Sequence, residues 1–144
     1  VKKYTLIVAL FPAIVFGKSI KDTDFGHAVV SKVTSIYDGD TFRVNIKGWP
    51  KIIGERVSIR VKGVDTPELK GQCEKEKQLA RKAKQHTVSL LRSAKKIELR
   101  NIQRGKYFRI LANVYVDGKS LTNSLIKAKL ARPYHGGTRK GWCS

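Results

Sequence analysis

Residues 28–61 read AVVSKVTSIYDGDTFRVNIKGWPKIIGERVSIRV, and three strands can be traced in them. Val29, Val30, Val33 and Ile36 give residues 28–37 a β-branched character, and their imperfect alternation predicts a bulge. Asp38-Gly39 is a hairpin signal. Beyond it Phe42, Val44 and Ile46 alternate with Arg43, Asn45 and Lys47, the period of a half-buried strand. Lys47-Gly48-Trp49-Pro50 breaks that run, and Val57, Ile59 and Val61 restart the alternation.

Outward from this meander the period changes. After a loop marked by Thr66-Pro67 and Gly71, apolar positions Leu79, Ala83, Thr87, Leu90, Leu91 and Ala94 form a helical stripe over about residues 73–92. His86 borders that stripe and reads as a packing residue. Ile97 and Leu99 suggest a short fourth strand. Phe108, Ile110, Ala112, Val114 and Val116 predict a fifth, stopping at Asp117-Gly118. Ser120 can cap a second helix carrying Leu121, Leu125, Ile126 and Leu130. Five strands with a helix between the third and fourth predict a β-rich α+β domain: a five-stranded OB-fold barrel with helices packed on it.

The 144 residues carry 30 Lys+Arg against 11 Asp+Glu, a formal charge of +19, yet 41% are hydrophobic, so a packed core accompanies the charge. Such a surface suits a polyanion. Two cysteines exclude a four-cysteine zinc site, and three scattered histidines argue against a zinc centre. At the start of the sequence, Lys2 and Lys3 precede an apolar run from Tyr4 to Phe16. The run is too short to span a bilayer, which takes about 20 residues, and fits a signal peptide over residues 1–17, cleaved after Gly17. A polar, flexible segment (18–27) and one domain (28–144) would follow. The expected location is the periplasm or the medium, as a monomer with no stable membrane association. Without Lys2 and Lys3 the formal charge falls only from +19 to +17. In an oxidising compartment Cys73 and Cys143 are either a disulfide or two free thiols. Paired, they would close a loop of about 70 residues, worth about 4 kcal/mol in the chain-entropy model.

Carboxylates are scarce, so their positions carry information. Asp38 and Asp40 flank the turn glycine; Asp65 and Glu68 follow the third strand. Singly, Asp-Gly-Asp is an ordinary turn, and Arg60 and Arg109 are ordinary solvated strand residues. Together, Asp38, Asp40, Asp65 and the carbonyl of Thr66 suit a hard divalent cation. Glu68 suits a general base, and Arg60 and Arg109 suit paired hydrogen bonds to phosphate. These are the parts of metal-assisted phosphodiester hydrolysis.

The ordered set Tyr37-Asp38-Gly39-Asp40-Thr41, Arg60, Asp65-Thr66-Pro67-Glu68, Ala94-Lys95-Lys96-Ile97-Glu98, Lys106-Tyr107-Phe108-Arg109 and Tyr115-Val116-Asp117-Gly118-Lys119 resembles the staphylococcal nuclease (thermonuclease) family. The resemblance runs from about Val29 to Pro133. It implies a calcium-dependent endonuclease on an OB barrel that cuts DNA and RNA, single- or double-stranded, with little base preference and leaves 3′-phosphate ends. It makes Asp40, Asp65 and the Thr66 carbonyl calcium ligands, with Asp38 acting through water. It makes Glu68 the base, Arg60 and Arg109 the phosphate clamps, and Tyr107 and Tyr134 neighbours of the nucleotide. Phe108 departs from the small glycine usual before the second arginine. The tail runs to Trp142-Cys143 instead of a longer helical segment. The competing readings are a catalytically inactive nucleic-acid-binding barrel, which would be free to lose the acids, and a cationic surface-binding protein, which does not explain their order.

Overall fold

The structure is a computed structural model describing residues 23–144; the signal peptide expected over residues 1–17 lies outside the described residues. Strands β1 (Ala28–Ile36), β2 (Thr41–Ile46) and β3 (Val57–Val61) form the antiparallel meander, with a one-turn helix, α1 (Lys51–Gly54), between β2 and β3. A two-residue strand, β4 (Val64–Asp65), leads to the long helix α2 (Glu74–Ser93). Then come β5 (Ile97–Arg104), a 3₁₀ turn (Lys106–Phe108), β6 (Ile110–Val116), the short β7 (Lys119–Ser120), α3 (Leu121–Lys127) and β8 (Arg132–Pro133). The main sheet runs β3-β2-β1-β5-β6-β7, and a parallel pairing of β3 with β6 closes it. The result is a closed, mixed five-stranded barrel of OB type with helices packed on it.

Alternation along β2 buries Phe42, Val44 and Ile46 and leaves Arg43 outside. Register shifts at Val30/Lys32 and Val33/Ser35 are the irregularity expected in β1, and they bend it toward closure. Ile59, Leu99, Val114, Leu121 and Leu125 fill the interior. On α2 the buried residues are Glu76, Ala80, Ala83, Thr87 and Leu91; Ala83, Thr87 and Leu91 belong to the predicted stripe, whereas Leu79, Leu90 and Ala94 are only half-buried. Glu74 and Glu76 in its first turn complement the helix dipole. Ser120 caps α3 by accepting from Asn123 N at 3.2 Å, and His86 Nε2 meets Ser124 Oγ at 2.8 Å, joining α2 to α3.

Four details differ from the sequence expectation. The fourth strand extends to Arg104, because a bulge at Asn101 (φ 52°) interrupts the apolar alternation without ending the ladder. The fifth strand starts at Ile110, not Phe108. Tyr107 (φ 55°) and Phe108 (φ 60°) are left-handed, and the Phe108 ring is 88% exposed instead of continuing the core stripe. The break after β2 contains α1, with Pro50 at its N-cap. Finally, residues 23–27 are bonded to β5: Phe25 N donates to Ile102 O at 2.7 Å and Ile102 N to Gly26 O at 3.0 Å.

Candidate active site

The Asp38-Gly39-Asp40 turn is pressed onto α2. Gly39 O accepts from the buried Thr87 hydroxyl at 2.7 Å. A Cβ on Gly39 would lie 2.9 Å from Ala83 Cβ and 3.0 Å from Thr66 Cγ2, so only glycine allows this approach. The turn is therefore buried, with Asp38 8% and Asp40 4% exposed, unlike a solvated hairpin end. Asp38 Oδ1 accepts from Asp40 N at 3.1 Å. Asp40 in turn accepts from Thr41 Oγ1 at 3.0 Å and, through Oδ2, from Thr66 N at 3.1 Å, which draws the segment after β4 against the turn.

Arg60 enters from β3, whose register sets Thr41 opposite Arg60 on one side and Leu111 on the other. The guanidinium is buried. It pairs with Asp40, lies 3.8 Å from Asp65 Oδ1, and donates to Val64 O at 3.2 Å. Burial, with Arg139 and Arg109 nearby, pushes its pKa down against the opposing pull of Asp38 and Asp65. Burial pushes the Asp38 carboxyl up, with Arg60 and the hydrogen bonds from Thr41 acting the other way.

Glu68 stands at the rim, its side chain 57% exposed. Its loop is fixed from behind by the buried Glu76, which accepts from Glu68 N at 3.3 Å and Gln72 N at 3.0 Å. Gly71 is needed there because a Cβ would overlap the Glu76 carboxyl group. Arg109 leaves the 3₁₀ turn just before β6, and its Nε is buried with no hydrogen-bond partner among the described residues. Asp38, Asp40, Asp65, Glu68, Arg60 and Arg109 thus line one pocket of about 240 Å³.

Tyr107 and Tyr134 do not line this pocket, although the Tyr134 ring centre lies 5.9 Å from the guanidinium carbon of Arg139, which does. Tyr107 is 87% exposed in a neighbouring groove of about 800 Å³ that shares Arg109 with the pocket. The Tyr134 hydroxyl donates to Gly137 O at 2.8 Å. The tyrosine lining the pocket is Tyr37.

Arg139, which belongs to none of the sequence motifs above, also lines the pocket. Its Nε lies 3.2 Å from Asp65 Oδ1 and its Nη1 donates to Glu68 Oε1 at 2.6 Å. Burial pushes its pKa down, but Asp65 and Glu68 outweigh that and hold it above the ordinary value. The tail carrying it is fastened by a Cys73–Cys143 disulfide with a Cα–Cα distance of 5.9 Å. A signal for Arg139 is present in the sequence: Cys73 follows Glu68 closely and Cys143 follows Arg139 closely, so a bond between the cysteines implies their meeting.

The donor set fits a hard divalent cation. Asp38, Asp40, Asp65 and the Thr66 carbonyl offer only oxygen, and the buried Asp65 Oδ1 accepts no hydrogen bond among the described residues.

A closed OB-type barrel with a carboxylate–arginine pocket built from its strand ends and the loop after β4 defines the class of this protein. Residues 58–140 match the family described as Staphylococcal nuclease homologue, and the chain belongs to that family. Two curated relatives from Bacillus subtilis (strain 168) are similar over 97 residues, 66% of this chain. Endonuclease YncB is 37% identical over 43% of its own length. The SPbeta prophage-derived endonuclease YokF is 36% identical over 31% of its length. The chain therefore spans less than half of either relative.

Proposed function

We propose that the protein is an exported, calcium-dependent endonuclease that hydrolyses phosphodiester bonds of DNA and RNA with little sequence preference and leaves 3′-phosphate ends. The observation that carries this reading is the convergence of four carboxylates and the side chains of Arg60 and Arg109 on one pocket. The family membership and the names of the two endonuclease relatives support it.

Each residue has a task that its placement suits. Glu68, at the water-facing rim, takes a proton from the attacking water. Arg60, fixed by Asp40 and Val64 O, donates to a phosphate oxygen. Arg109 brings a buried donor with no partner of its own among the described residues, an arrangement that suits an incoming anion. Both arginines act on negative charge as it builds at phosphorus, where preorganised donors are most effective. The bond from phosphorus to the 5′ oxygen breaks, that oxygen takes a proton from solvent water at the open rim, and the phosphate stays on the 3′ side. Asp38, Asp40, Asp65 and the Thr66 carbonyl would hold calcium, whose chemistry is neutralisation of the phosphate's charge. Phosphate contacts supply affinity without reading sequence, in keeping with the basic surface.

The test is cleavage of single- and double-stranded DNA and of RNA by the purified chain, with calcium and with chelator. Activity should vanish with chelator and return with calcium. Asp40→Ala should abolish cutting and calorimetric calcium binding while the chain stays folded. Full activity in excess chelator would sink the metal assignment.

A further inference from the structure

We infer that Arg139 is a third phosphate-binding arginine of this site, delivered by a tail that the Cys73–Cys143 bond fastens down. The inference rests on the nuclease reading and adds a substrate contact to it.

One guanidinium spans two carboxylates of different environment, the buried Asp65 and the rim residue Glu68. It does so through Nε and Nη1, and arginine has five N–H donors, so capacity remains for a phosphate oxygen. The Arg139 side chain is 46% exposed, so an anion can reach it without displacing it. The bond to Glu68 uses Oε1 and leaves the second carboxylate oxygen to take a proton.

The tail is built to hold this arginine. Arg132, in β8, pairs across the ladder with Asp65 in β4. Its guanidinium stacks 3.8 Å from the centre of the Trp142 ring and donates to Gly141 O at 2.8 Å. Trp142 is buried and Cys143 is bonded to Cys73 at the head of α2. Residues 136–141, which contain three glycines, are thus anchored at both ends, with Arg139 between the anchors.

Charge gives the arrangement its purpose. Four carboxylates with Arg60, Lys70 and Arg109 sum to a formal −1, which a divalent cation brings to +1. Arg139 raises the loaded pocket to +2, a surplus that favours an anionic phosphodiester. An exposed ion pair alone would contribute little; here the arginine strengthens the positive charge of the pocket that receives the substrate.

The experiment measures binding without turnover. On a Glu68→Gln background with calcium present, a fluorescent single-stranded oligonucleotide is titrated at several salt concentrations, with and without Arg139→Gln or Arg139→Lys. Arg139→Gln should weaken binding about tenfold or more, the scale of a hydrogen bond to a charged group. It should also reduce the salt slope by about one phosphate contact. Arg139→Lys should recover part of the affinity but not the fork. In the otherwise unaltered chain, Arg139→Gln should raise KM. Replacing both cysteines by serine should reproduce part of the loss, because the Arg132–Trp142 stack remains, and Arg139→Gln should then add less than it does in the bonded chain. If that double variant unfolds, the Arg139 variants decide alone. Unchanged binding and KM in Arg139→Gln overturn the inference, and so does faster cutting, which would make Arg139 a plug. If the unaltered chain cuts and Glu68→Gln does not while Arg139→Gln is neutral, only this inference falls. If the unaltered chain neither binds nor cuts, the nuclease reading falls and takes this inference with it.

Discussion

Glu68 and Arg60 share a pocket but differ in setting, and the difference shapes what their replacement does. Glu68 is exposed at the rim, whereas Arg60 is buried among Asp40, Asp65 and Val64 O. Glu68→Gln keeps the shape and removes the proton acceptor, so the rate should fall about 10²–10⁴-fold with the melting temperature nearly unchanged. Arg60→Lys should lower both, because a single ammonium cannot serve Asp40 and Val64 O as the fork does. Steady-state kinetics beside thermal melts separates the two cases. Asp38 allows a pH test. Burial raises its pKa in the fold, with Arg60 and Arg139 opposing, so the folded state favours the neutral acid. Its favourable contribution is complete below the ordinary carboxylate range and is lost as pH rises through the raised value. In chelator, Asp38→Asn should therefore be more stable than the parent at neutral pH, with the advantage shrinking in acid. Urea titrations across about pH 4–8 check this, and an advantage that grows on acidification contradicts it.

At the scale of elements, α2 is the platform of the site. It carries Thr87 and Ala83 against the acidic turn and Glu76 against the Glu68 loop. Thr87→Val keeps the shape but strands Gly39 O, which should cost about 1–3 kcal/mol. Thr87→Ser should cost less, and both should be read by denaturant unfolding beside cleavage rate. The 3₁₀ turn makes the opposite case. Phe108 is left-handed and almost fully exposed, so its ring gains little from burial while its backbone is strained. Phe108→Gly should stabilise the protein by up to about 1 kcal/mol, the left-handed penalty less the extra flexibility of glycine when unfolded. A clear loss of stability would show that the ring packs.

Elements of this kind also show what can be read from sequence. Strands β2 and β3 are legible because each buries one face and alternates with a period of two. The helix on residues 74–93 is legible because its stripe is long. Phe108 misleads, since a turn residue can fall in phase with the strand beyond it. The carboxylates of the pocket stand out because acids are rare in so basic a chain. Arg139 does not, because one more arginine is no signal among 30 basic residues until the disulfide fixes its place.

For the molecule as a whole, the tail is held by two independent fastenings, the disulfide and the Arg132–Trp142 stack. Reduction removes only the first. With a sequence separation of 70 between the bonded cysteines, that step should cost about 4 kcal/mol in the chain-entropy model. Differential scanning calorimetry with and without reductant should show the reduced protein melting several degrees lower in one cooperative transition. Equal melting temperatures would mean that the bond does not stabilise the fold.

The parallel seam between β3 and β6 has a consequence in time. It sets Arg60 beside Leu111 and brings Arg109, just before β6, to the same pocket as the turn at residues 38–40. The pocket therefore draws on parts of the chain as far apart as Asp38 and Arg139, and none of its local segments holds it complete. Pairings between residues so distant in sequence form slowly, since the loop entropy must be overcome first. A nascent chain that has reached Glu68 holds the four carboxylates and Arg60 but lacks Arg109 and Arg139. Any cutting activity must then appear late and all at once, when the ring shuts, so the unfinished polypeptide is harmless to the nucleic acids around it.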